Sequence, residues 1–232
     1  MTEPYKLSFF VTGTDTGVGK TLVTTALLHT LSRHHARVVG MKPVAAGTVL
    51  INGAEANDDV LALRAASNLH VPPELDNPVL LPEPVSPHIA AASAGVRIDI
   101  NHIVDCYLAL TQLADVVVVE GAGGFMVPLS DTETGADLAQ ALGLPIVLVV
   151  GLRLGCLNHA LLTLEAIRAR GLTLAGWAAN HIDPTMQAQA DNITFLQQHI
   201  LAPLLGTIAY LSQPDAVNVK LELPATWLAT SL

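Results

Sequence analysis

The stretch GTDTGVGKT, Gly13–Thr21, decides the fold, because it links the apolar run Leu7–Val11 to a helical pattern. A buried strand that leads through a glycine-rich turn into a helix is the plan of a phosphate-binding loop. Backbone N–H groups and the helix N-terminus face phosphate, while a lysine and a threonine hydroxyl reach phosphate and Mg²⁺. Five residues, instead of the four of the common pattern, separate Gly13 from the Gly19-Lys20 pair. A plain turn is the weaker interpretation, since a lysine at a helix N-terminus is unfavourable without an anion. We call Gly13–Thr21 the P-loop.

Length and composition fit one large domain, and we predict a single domain over residues 1–232. Hydrophobic residues make up 51% and charged residues only 13%, which suggests surface lost to packing or to a partner and hence an oligomer. The net charge of −9 argues against nucleic acid or an anionic membrane as a partner. Cys106 and Cys156 have neither CxxC spacing nor the company of a disulfide framework. The sequence also shows no signal-peptide pattern and no apolar run of membrane-span length. Together with the two isolated cysteines, this predicts a cytoplasmic location.

Short apolar runs alternate with helical patterns along the chain. The predicted strands are residues 7–11, 38–41, 116–119, 146–150, 174–179 and 205–209, and the predicted helices are residues 21–34, 58–66, 98–114, 134–142, 158–170 and 186–200. Residues 45–57 are predicted to form a loop, and the proline-rich residues 71–87 an irregular excursion. This alternation predicts a doubly wound, mostly parallel α/β sheet of the P-loop NTPase type.

Chemically useful side chains follow the predicted strands, at the edge where such sheets bind ligands. Lys42 comes after the second strand, with its backbone restricted by Pro43. Glu120 comes directly after four valines, where P-loop enzymes hold their metal. Thr21, Asp59 and Glu120 offer the hard oxygen atoms that Mg²⁺ prefers, and we predict that they bind it.

Each of these residues also has a simpler interpretation. Lys42 could be a solvated lysine, and Glu120 an exposed residue in a glycine turn. Asp58 or Asp59, taken alone, is more often the N-cap of a helix than a ligand, and the same holds for Asn158. Asn180 could merely end its strand, or its amide could pair with the edge of an adenine base.

Seven segments together resemble the dethiobiotin synthetase family. They are VTGTDTGVGKT (11–21), KPVAAG (42–47), NDD (57–59), EPVSPH (83–88), VEGAGG (119–124), GCLNH (155–159) and LAGWAAN (174–180). The five-residue spacing of the P-loop is part of this resemblance. The resemblance implies a homodimeric ligase that converts 7,8-diaminononanoate, CO₂ and MgATP to dethiobiotin, ADP and phosphate. The reaction would pass through a carbamate and a carbamic-phosphoric mixed anhydride.

The resemblance also implies roles for individual residues. Lys20, Lys42 and Thr21 would be catalytic, with Lys20 on the phosphates and Lys42 on the carbamate and the transferring phosphoryl group, and Mg²⁺ would lie on Thr21, Asp59 and Glu120. The implied nucleotide site comprises Gly17, Val18, Gly19, Lys20, Thr21, Leu22, Asp59, Glu120, Gly121, Ala122, Gly123, Asn180, Ala209, Tyr210 and Leu211. The implied substrate site comprises Thr16, Lys42, Ala46 and Asn158, the last reaching across the dimer.

Three positions depart from the family pattern, and two other classes of protein remain open. Gly17, Ala46 and Ala209 stand where the family often has Glu, Ser and Pro. The first alternative is a P-loop ATPase switch that partitions or positions cellular components, although such switches usually carry a further lysine early in the loop, where Thr14 stands. The second is the ATPase domain of a corrinoid-type amidotransferase, for which 232 residues leave no room for a glutaminase.

Overall fold

The computed structural model describes residues 7–51 and 53–229. Its strands are β1 (Leu7–Gly13), β2 (Val38–Met41), β3 (Val44–Ala46), β4 (Val49–Ile51), β5 (Ala54–Ala56), β6 (Val79–Leu81), β7 (Val116–Glu120), β8 (Ile146–Leu152), β9 (Leu174–His181) and β10 (Leu204–Ile208). Its helices are α1 (Lys20–Leu31), α2 (Asp58–Ala66), α3 (Pro73–Asp76), α4 (Pro87–Ala94), α5 (Ile100–Leu113), α6 (Gly135–Leu142), α7 (Cys156–Ala169), α8 (Gln189–His199) and α9 (Ala225–Leu228), with a 3₁₀ turn at Ala216–Asn218.

A six-stranded sheet in the order β10-β9-β8-β1-β7-β2 forms the centre of the molecule, and its strands pair in parallel. Successive side chains of β1 point to opposite faces, because a strand has a period of two. Phe9 packs with Leu27 of α1 on one face, and Phe10 packs with Leu110 of α5 on the other. Helices therefore cover both faces, and the predicted doubly wound, mostly parallel α/β fold of the P-loop NTPase type is confirmed.

The sheet reverses its winding direction at β1. The chain crosses from β1 to β2 on one side, whereas β8, β9 and β10 follow on the other side of β1. Such a switch point opens a crevice beyond the carboxyl ends of the strands, where ligands of this fold bind. Val11 pairs with Glu120 of β7, and Gly13 pairs with Val149 of β8, so the P-loop begins in that crevice.

The prediction of a loop over residues 45–57 was wrong. Val44–Ala46 forms β3, which pairs in parallel with β6, and Val49–Ile51 pairs in an antiparallel arrangement with Ala54–Ala56. The side chains of β4 are exposed, so they lack the buried-and-exposed alternation by which a strand is recognised in a sequence. Part of the excursion over residues 71–87 is also regular, as α3 and β6.

Three further features bear on the sequence predictions: the number of domains, any membrane-spanning helices and the cysteines. The single domain over residues 1–232 stays a prediction, and its first six and last three residues lie outside the described ranges. Within those ranges, no helix is both long and apolar enough to cross a bilayer. Cys106 and Cys156 are buried free thiols.

Candidate functional site

The P-loop takes its shape from its glycines and from the strand beside it. Gly17 and Gly19 have φ angles of 73° and 90°, in the left-handed region that glycine occupies without strain. The N–H of Thr14 donates to the carbonyl of Val149 over 3.0 Å, which extends the pairing of β1 with β8 into the loop. A Cβ atom at Gly19 would collide with the amide of Asn180. The loop is thus built for close backbone approach.

Lys20 begins helix α1 and folds back over the P-loop. Its Nζ donates to the backbone carbonyl of Asp15 over 3.1 Å, and the side chain is buried. Burial, reinforced by the positive charge of Lys42, lowers the pKa of Lys20 to about 8. An anion in the loop would favour the charged ammonium, so this lysine is suited to bind phosphate.

Four side chains from four segments converge beside Lys20. The Oγ1 of Thr21 lies 2.7 Å from Oδ1 of Asp59 and 3.1 Å from Oε1 of Glu120. The Nζ of Lys42 donates to Oδ2 of Asp59 over 2.9 Å and to Oε1 of Glu120 over 2.6 Å. Glu120 and Lys42 are 0% and 5% exposed, which excludes the simpler interpretations of both as solvated residues.

The charges in this cluster stabilise one another. Burial alone would lower the pKa of Lys42, but the carboxylates of Glu120 and Asp59 outweigh it and raise that pKa above the usual value. For Asp59, burial would raise the pKa, but Lys42 and the hydroxyl of Thr21 lower it below the usual value. Near neutral pH the cluster therefore contains an ammonium and an aspartate carboxylate.

Helix α2 carries Asp59 into the site, and its start differs from the prediction. The N-cap is Asn57, whose Oδ1 accepts from the N–H groups of Asp59 and Val60 over 3.1 and 3.3 Å. The expectation that Asp58 or Asp59 caps the helix was wrong, because both lie within its first turn. The Nδ2 of Asn57 also donates to the carbonyl of Gly47 over 2.7 Å, which fixes α2 to the chain after β3.

A cleft of about 590 Å³ opens over the P-loop and the cluster. One wall is the turn Pro84–Pro87 at the start of α4. Most of the remaining lining consists of predicted site residues, beside Val44 and Val127: Thr16, Gly17, Gly19, Lys20, Thr21, Lys42, Ala46, Asp59, Ala122 and Gly123. The structure therefore brings most of the predicted phosphate and metal residues to one cleft.

Other predicted residues lie away from the lining of this cleft. Val18 is buried and Leu22 half-buried, both against the core. Gly121 lies beneath the cluster, where its carbonyl is 3.4 Å from Nζ of Lys42. Asn158 is an exposed residue on α7 and does not cap that helix, whose N-cap is Gly155. The segment Ala209, Tyr210 and Leu211 follows β10.

Asn180 contacts the P-loop itself. Its side chain is buried, and its Nδ2 donates to the backbone carbonyl of Val18 over 2.9 Å. The amide thus holds the turn that carries Gly19. Neither the strand-end interpretation nor the adenine interpretation described this contact, because a sequence does not indicate which backbone carbonyl an amide will meet.

Sequence reasoning missed two residues that shape the site. Arg153 follows β8 and forms an ion pair with Asp15 of the P-loop. Asn57 caps α2, as described above. A signal existed for Asn57, because an asparagine just before a helical pattern is a typical N-cap. No sequence pattern joins Arg153 to Asp15, 138 positions away.

The donor set fits a magnesium ion. Within residues 7–51 and 53–229, no group of three or more His, Cys, Asp and Glu side chains could hold a metal alone. Mg²⁺ usually takes only one or two carboxylates, together with substrate phosphate and water. Oε2 of Glu120 is buried and has no hydrogen-bond partner in the described part of the chain, so an acceptor is available there.

Solved structures of P-loop proteins share this fold. A ParA family ATPase from Chlorobium tepidum TLS superposes with a TM-score of 0.56 at 16% identity, over 90% of this chain and 86% of that one. Apo McdA from Cyanthece gives 0.54 at 13% identity, over 90% and 87%. The MinC:MinD cell division complex from Aquifex aeolicus gives 0.52 at 17% identity, over 89% and 82%. At these identities the likeness shows the fold alone.

These comparisons contradict the resemblance to dethiobiotin synthetases. Solved structures that share the fold include ParA, McdA and MinD proteins, so the assignment to that family was wrong, and with it the ligase reaction of biotin synthesis. The substrates 7,8-diaminononanoate and CO₂ are likewise unsupported. Several of the quoted motifs lie in the P-loop or at strand ends, where this fold binds ligands, so they indicate a phosphate site without specifying a second substrate.

A family model supports the same general class of protein. The model described as AAA domain matches residues 8–218, which include the P-loop, Lys42, Asp59 and Glu120. This match covers most of the sequence and all of the cluster around Lys42. The chain therefore belongs to the AAA domain family of P-loop proteins.

Proposed function

We propose that this protein is a Mg²⁺-dependent ATPase that binds MgATP over the P-loop and transfers the γ-phosphoryl group to water. One observation carries the proposal: Thr21, Asp59, Glu120 and Lys42 form a single hydrogen-bonded cluster beside Lys20 of the P-loop. Phosphoryl transfer depends mainly on positioning and charge stabilisation, and this cluster supplies both without a protein nucleophile.

The metal would lie on Thr21, Asp59 and Glu120. Supporting this placement, the hydroxyl of Thr21 already lies within hydrogen-bond distance of both carboxylates, and Oε2 of Glu120 is free to accept. When bound, Mg²⁺ would supply positive charge that offsets the negative charge developing on the phosphate oxygens. The chain's own part is to hold these three oxygen ligands in place beside the loop.

Lys42 would act on the charge that accumulates during transfer. Its ammonium is fixed by Asp59 and Glu120, so it needs little rearrangement when the phosphoryl group moves. Lys20 would bind the β- and γ-phosphates, with the backbone of Gly17–Leu22 wrapped around them. The base-contacting roles of Asn180 and of Ala209, Tyr210 and Leu211 belong to this proposal as well. Asn180 uses one N–H of its amide on the carbonyl of Val18, so the second N–H and Oδ1 are the groups that would contact the base.

The finer function that we favour is a switch of the partitioning or positioning type. The shared fold with a ParA family ATPase and with MinD in its complex with MinC supports this reading. In such a switch the nucleotide state would alter contacts with a second copy or with a protein partner, and the predicted homodimer belongs here. The P-loop has no lysine before Lys20, where such switches usually carry one, so the contact between copies would use other residues. Sedimentation velocity with ADP and with a non-hydrolysable ATP analogue tests this, and an identical profile in both states would exclude nucleotide-controlled self-association.

A comparison of two threonines of α1 tests the ATPase itself. Thr21→Ala removes the proposed metal ligand, whereas Thr30→Ala removes a hydroxyl that bonds only the carbonyl of Ala26 near the far end of the helix. We expect Thr21→Ala to raise the Mg²⁺ concentration for half-maximal phosphate release by at least about tenfold. Thr30→Ala should match the wild type. Equal Mg²⁺ dependence in all three proteins would contradict the metal placement, and GTP in place of ATP tests the choice of nucleotide.

A further inference from the structure

We propose that Arg153 is a positioning residue of the nucleotide site, because it holds Asp15 and thereby fixes the P-loop in the shape that receives phosphate. The inference rests on the proposed function, since it assumes that nucleotide binds over this loop. It adds a residue that belongs neither to the P-loop nor to the metal cluster.

The sheet brings Arg153 to the loop. Strands β8 and β1 are neighbours, and Gly13 pairs with Val149. The bond from Thr14 N–H to the Val149 carbonyl continues this pairing by one residue. Arg153 follows the last residue of β8 directly, and its guanidinium donates to Oδ2 of Asp15. The pair therefore spans the gap between the loops after two adjacent strands.

Asp15 passes this restraint on to the phosphate site. Its second carboxylate oxygen, Oδ1, accepts from the N–H of Thr16 over 2.7 Å, and its backbone carbonyl accepts from Nζ of Lys20 over 3.1 Å. With both carboxylate oxygens engaged, the peptide between Asp15 and Thr16 has a fixed orientation. The carbonyl that receives Lys20 is therefore directed by the same residue that Arg153 holds.

The ion pair of Arg153 and Asp15 differs from other surface ion pairs in its location and not in its exposure to solvent. Arg37 and Asp115 form a pair with comparable exposures, 52% and 33% against 40% and 44% for Arg153 and Asp15. Arg37 and Asp115 precede β2 and β7, so they lie at the amino ends of the strands, on the edge of the sheet opposite the P-loop. They provide a matched control with the same chemistry.

A direct contact of Arg153 with bound nucleotide would be a different role, and the two roles predict different mutant patterns. If Arg153 acts through Asp15, Asp15→Asn should have the same effect as Arg153→Gln, because the asparagine keeps an oxygen for the N–H of Thr16 but offers Arg153 an NH2 donor in place of the charged acceptor. The double variant should then be no worse than either single variant. If Arg153 contacts nucleotide itself, only its own substitution should weaken binding.

The test measures the Kd of MgATP by fluorescence, KM and kcat by phosphate release, and Tm, in the full chain. We expect Arg153→Gln, Asp15→Asn and the double variant each to raise Kd and KM by about fivefold, the factor that corresponds to about 1 kcal/mol. The kcat should change by less than about twofold, because bound phosphates order the loop once they are in place. Arg153→Lys should restore part of the affinity, and Arg37→Gln should leave both constants unchanged.

Four results would overturn the inference. Wild-type affinity in Arg153→Gln would show that the pair does not shape the site, and normal affinity in Asp15→Asn beside weak binding in Arg153→Gln would indicate a direct role. A lower Tm and kcat with unchanged KM and Kd would indicate ordinary destabilisation. If the wild type binds ATP but does not hydrolyse it, the proposed ATPase activity fails while the Kd values still decide on Arg153. A wild type that binds no nucleotide would refute both.

Discussion

The Nζ of Lys42 lies 2.6 Å from Oε1 of Glu120, and both side chains are buried at the carboxyl edge of the sheet. Burial would lower the pKa of Lys42, but the Glu120 carboxylate at this distance helps to hold that pKa above the usual value. The second carboxylate, from Asp59, makes the net charge of the three groups negative. This net negative charge favours the binding of a cation such as Mg²⁺. Lys42 remains available to interact with a transferring phosphoryl group.

Removal of the Lys42 charge should separate catalysis from binding. Lys42→Met leaves Glu120 buried without its partner, which should lower the free energy of unfolding by about 3–5 kcal/mol in the absence of Mg²⁺. We expect kcat for ATP hydrolysis to fall by about 10²-fold or more, with the Kd of MgATP little changed. Stopped-flow phosphate release and nucleotide titration measure the two quantities. The exposed Lys220, replaced in the same way, is the control. An equal loss of ATP affinity and turnover would show that Lys42 is only a nucleotide ligand.

Glu120→Gln should weaken the binding of Mg²⁺ and so raise the Mg²⁺ concentration that hydrolysis requires. The glutamine keeps the size of the side chain but removes the carboxylate charge and gives one position a donor in place of an acceptor. We expect the Mg²⁺ requirement of hydrolysis to rise by roughly tenfold or more, while Glu165→Gln on the exposed surface of α7 changes nothing. Titration of activity with Mg²⁺ is the measurement. An unchanged requirement in Glu120→Gln would place the metal elsewhere.

The N-cap of α2 should affect both stability and the metal site. Asn57→Ala removes the acceptor of two N–H groups and should lower the free energy of unfolding by about 1 kcal/mol. Because Asp59 lies in the first turn of that helix, the Mg²⁺ requirement should rise as well. Asp99→Ala removes the comparable cap of α5, where Oδ1 accepts from Asn101 and His102. It should cost similar stability without a metal effect, and a shift of the Mg²⁺ requirement in both variants would refute the specific role of Asn57.

The acid dependence of stability should include a contribution from Asp137. Partial burial would raise the pKa of Asp137, but hydrogen bonds from Thr134 and Arg170 lower it below the usual value of 3.8. A carboxyl group with a lowered pKa in the folded state contributes stability above about pH 4, and that contribution is lost as the pH falls through its folded value. Asp137→Asn should therefore be less stable than the wild type near neutral pH, and the difference should shrink as the pH falls below the usual value of 3.8 and through the lowered pKa of Asp137. Urea unfolding across this pH range measures it, and a difference independent of pH would contradict the assignment.

The central fold could be predicted from the sequence because its signals are local. Four consecutive valines before Glu120 are typical of a strand buried on both faces, and that strand became β7. The P-loop glycines predicted a turn with left-handed residues, and Gly17 and Gly19 adopt it. The hairpin of β4 and β5 could not be found in this way, since its exposed side chains carry no alternating pattern.

The sequence predicted which residues form the site, but not which hydrogen bonds their side chains make. The residues of the cluster lie at the ends of strands or in the first turns of helices: Thr21, Lys42, Asp59 and Glu120. The topology of a parallel sheet brings such positions to one edge. That Lys42 bonds both carboxylates, or that Asn180 bonds the carbonyl of Val18, depends on side-chain geometry between segments far apart in sequence. The resemblance to one ligase family failed for a related reason, because motifs for phosphate and metal are shared by proteins that differ in what they act on.

Phosphate release from MgATP as the sole added substrate tests the central claim most directly. The account predicts Mg²⁺-dependent release of phosphate and ADP in equal amounts, lost when Lys20 is replaced by Ala and retained when Lys220 is replaced by Ala. The absence of any Mg²⁺-dependent release in the wild type, or release that Lys20→Ala leaves unchanged, would contradict it.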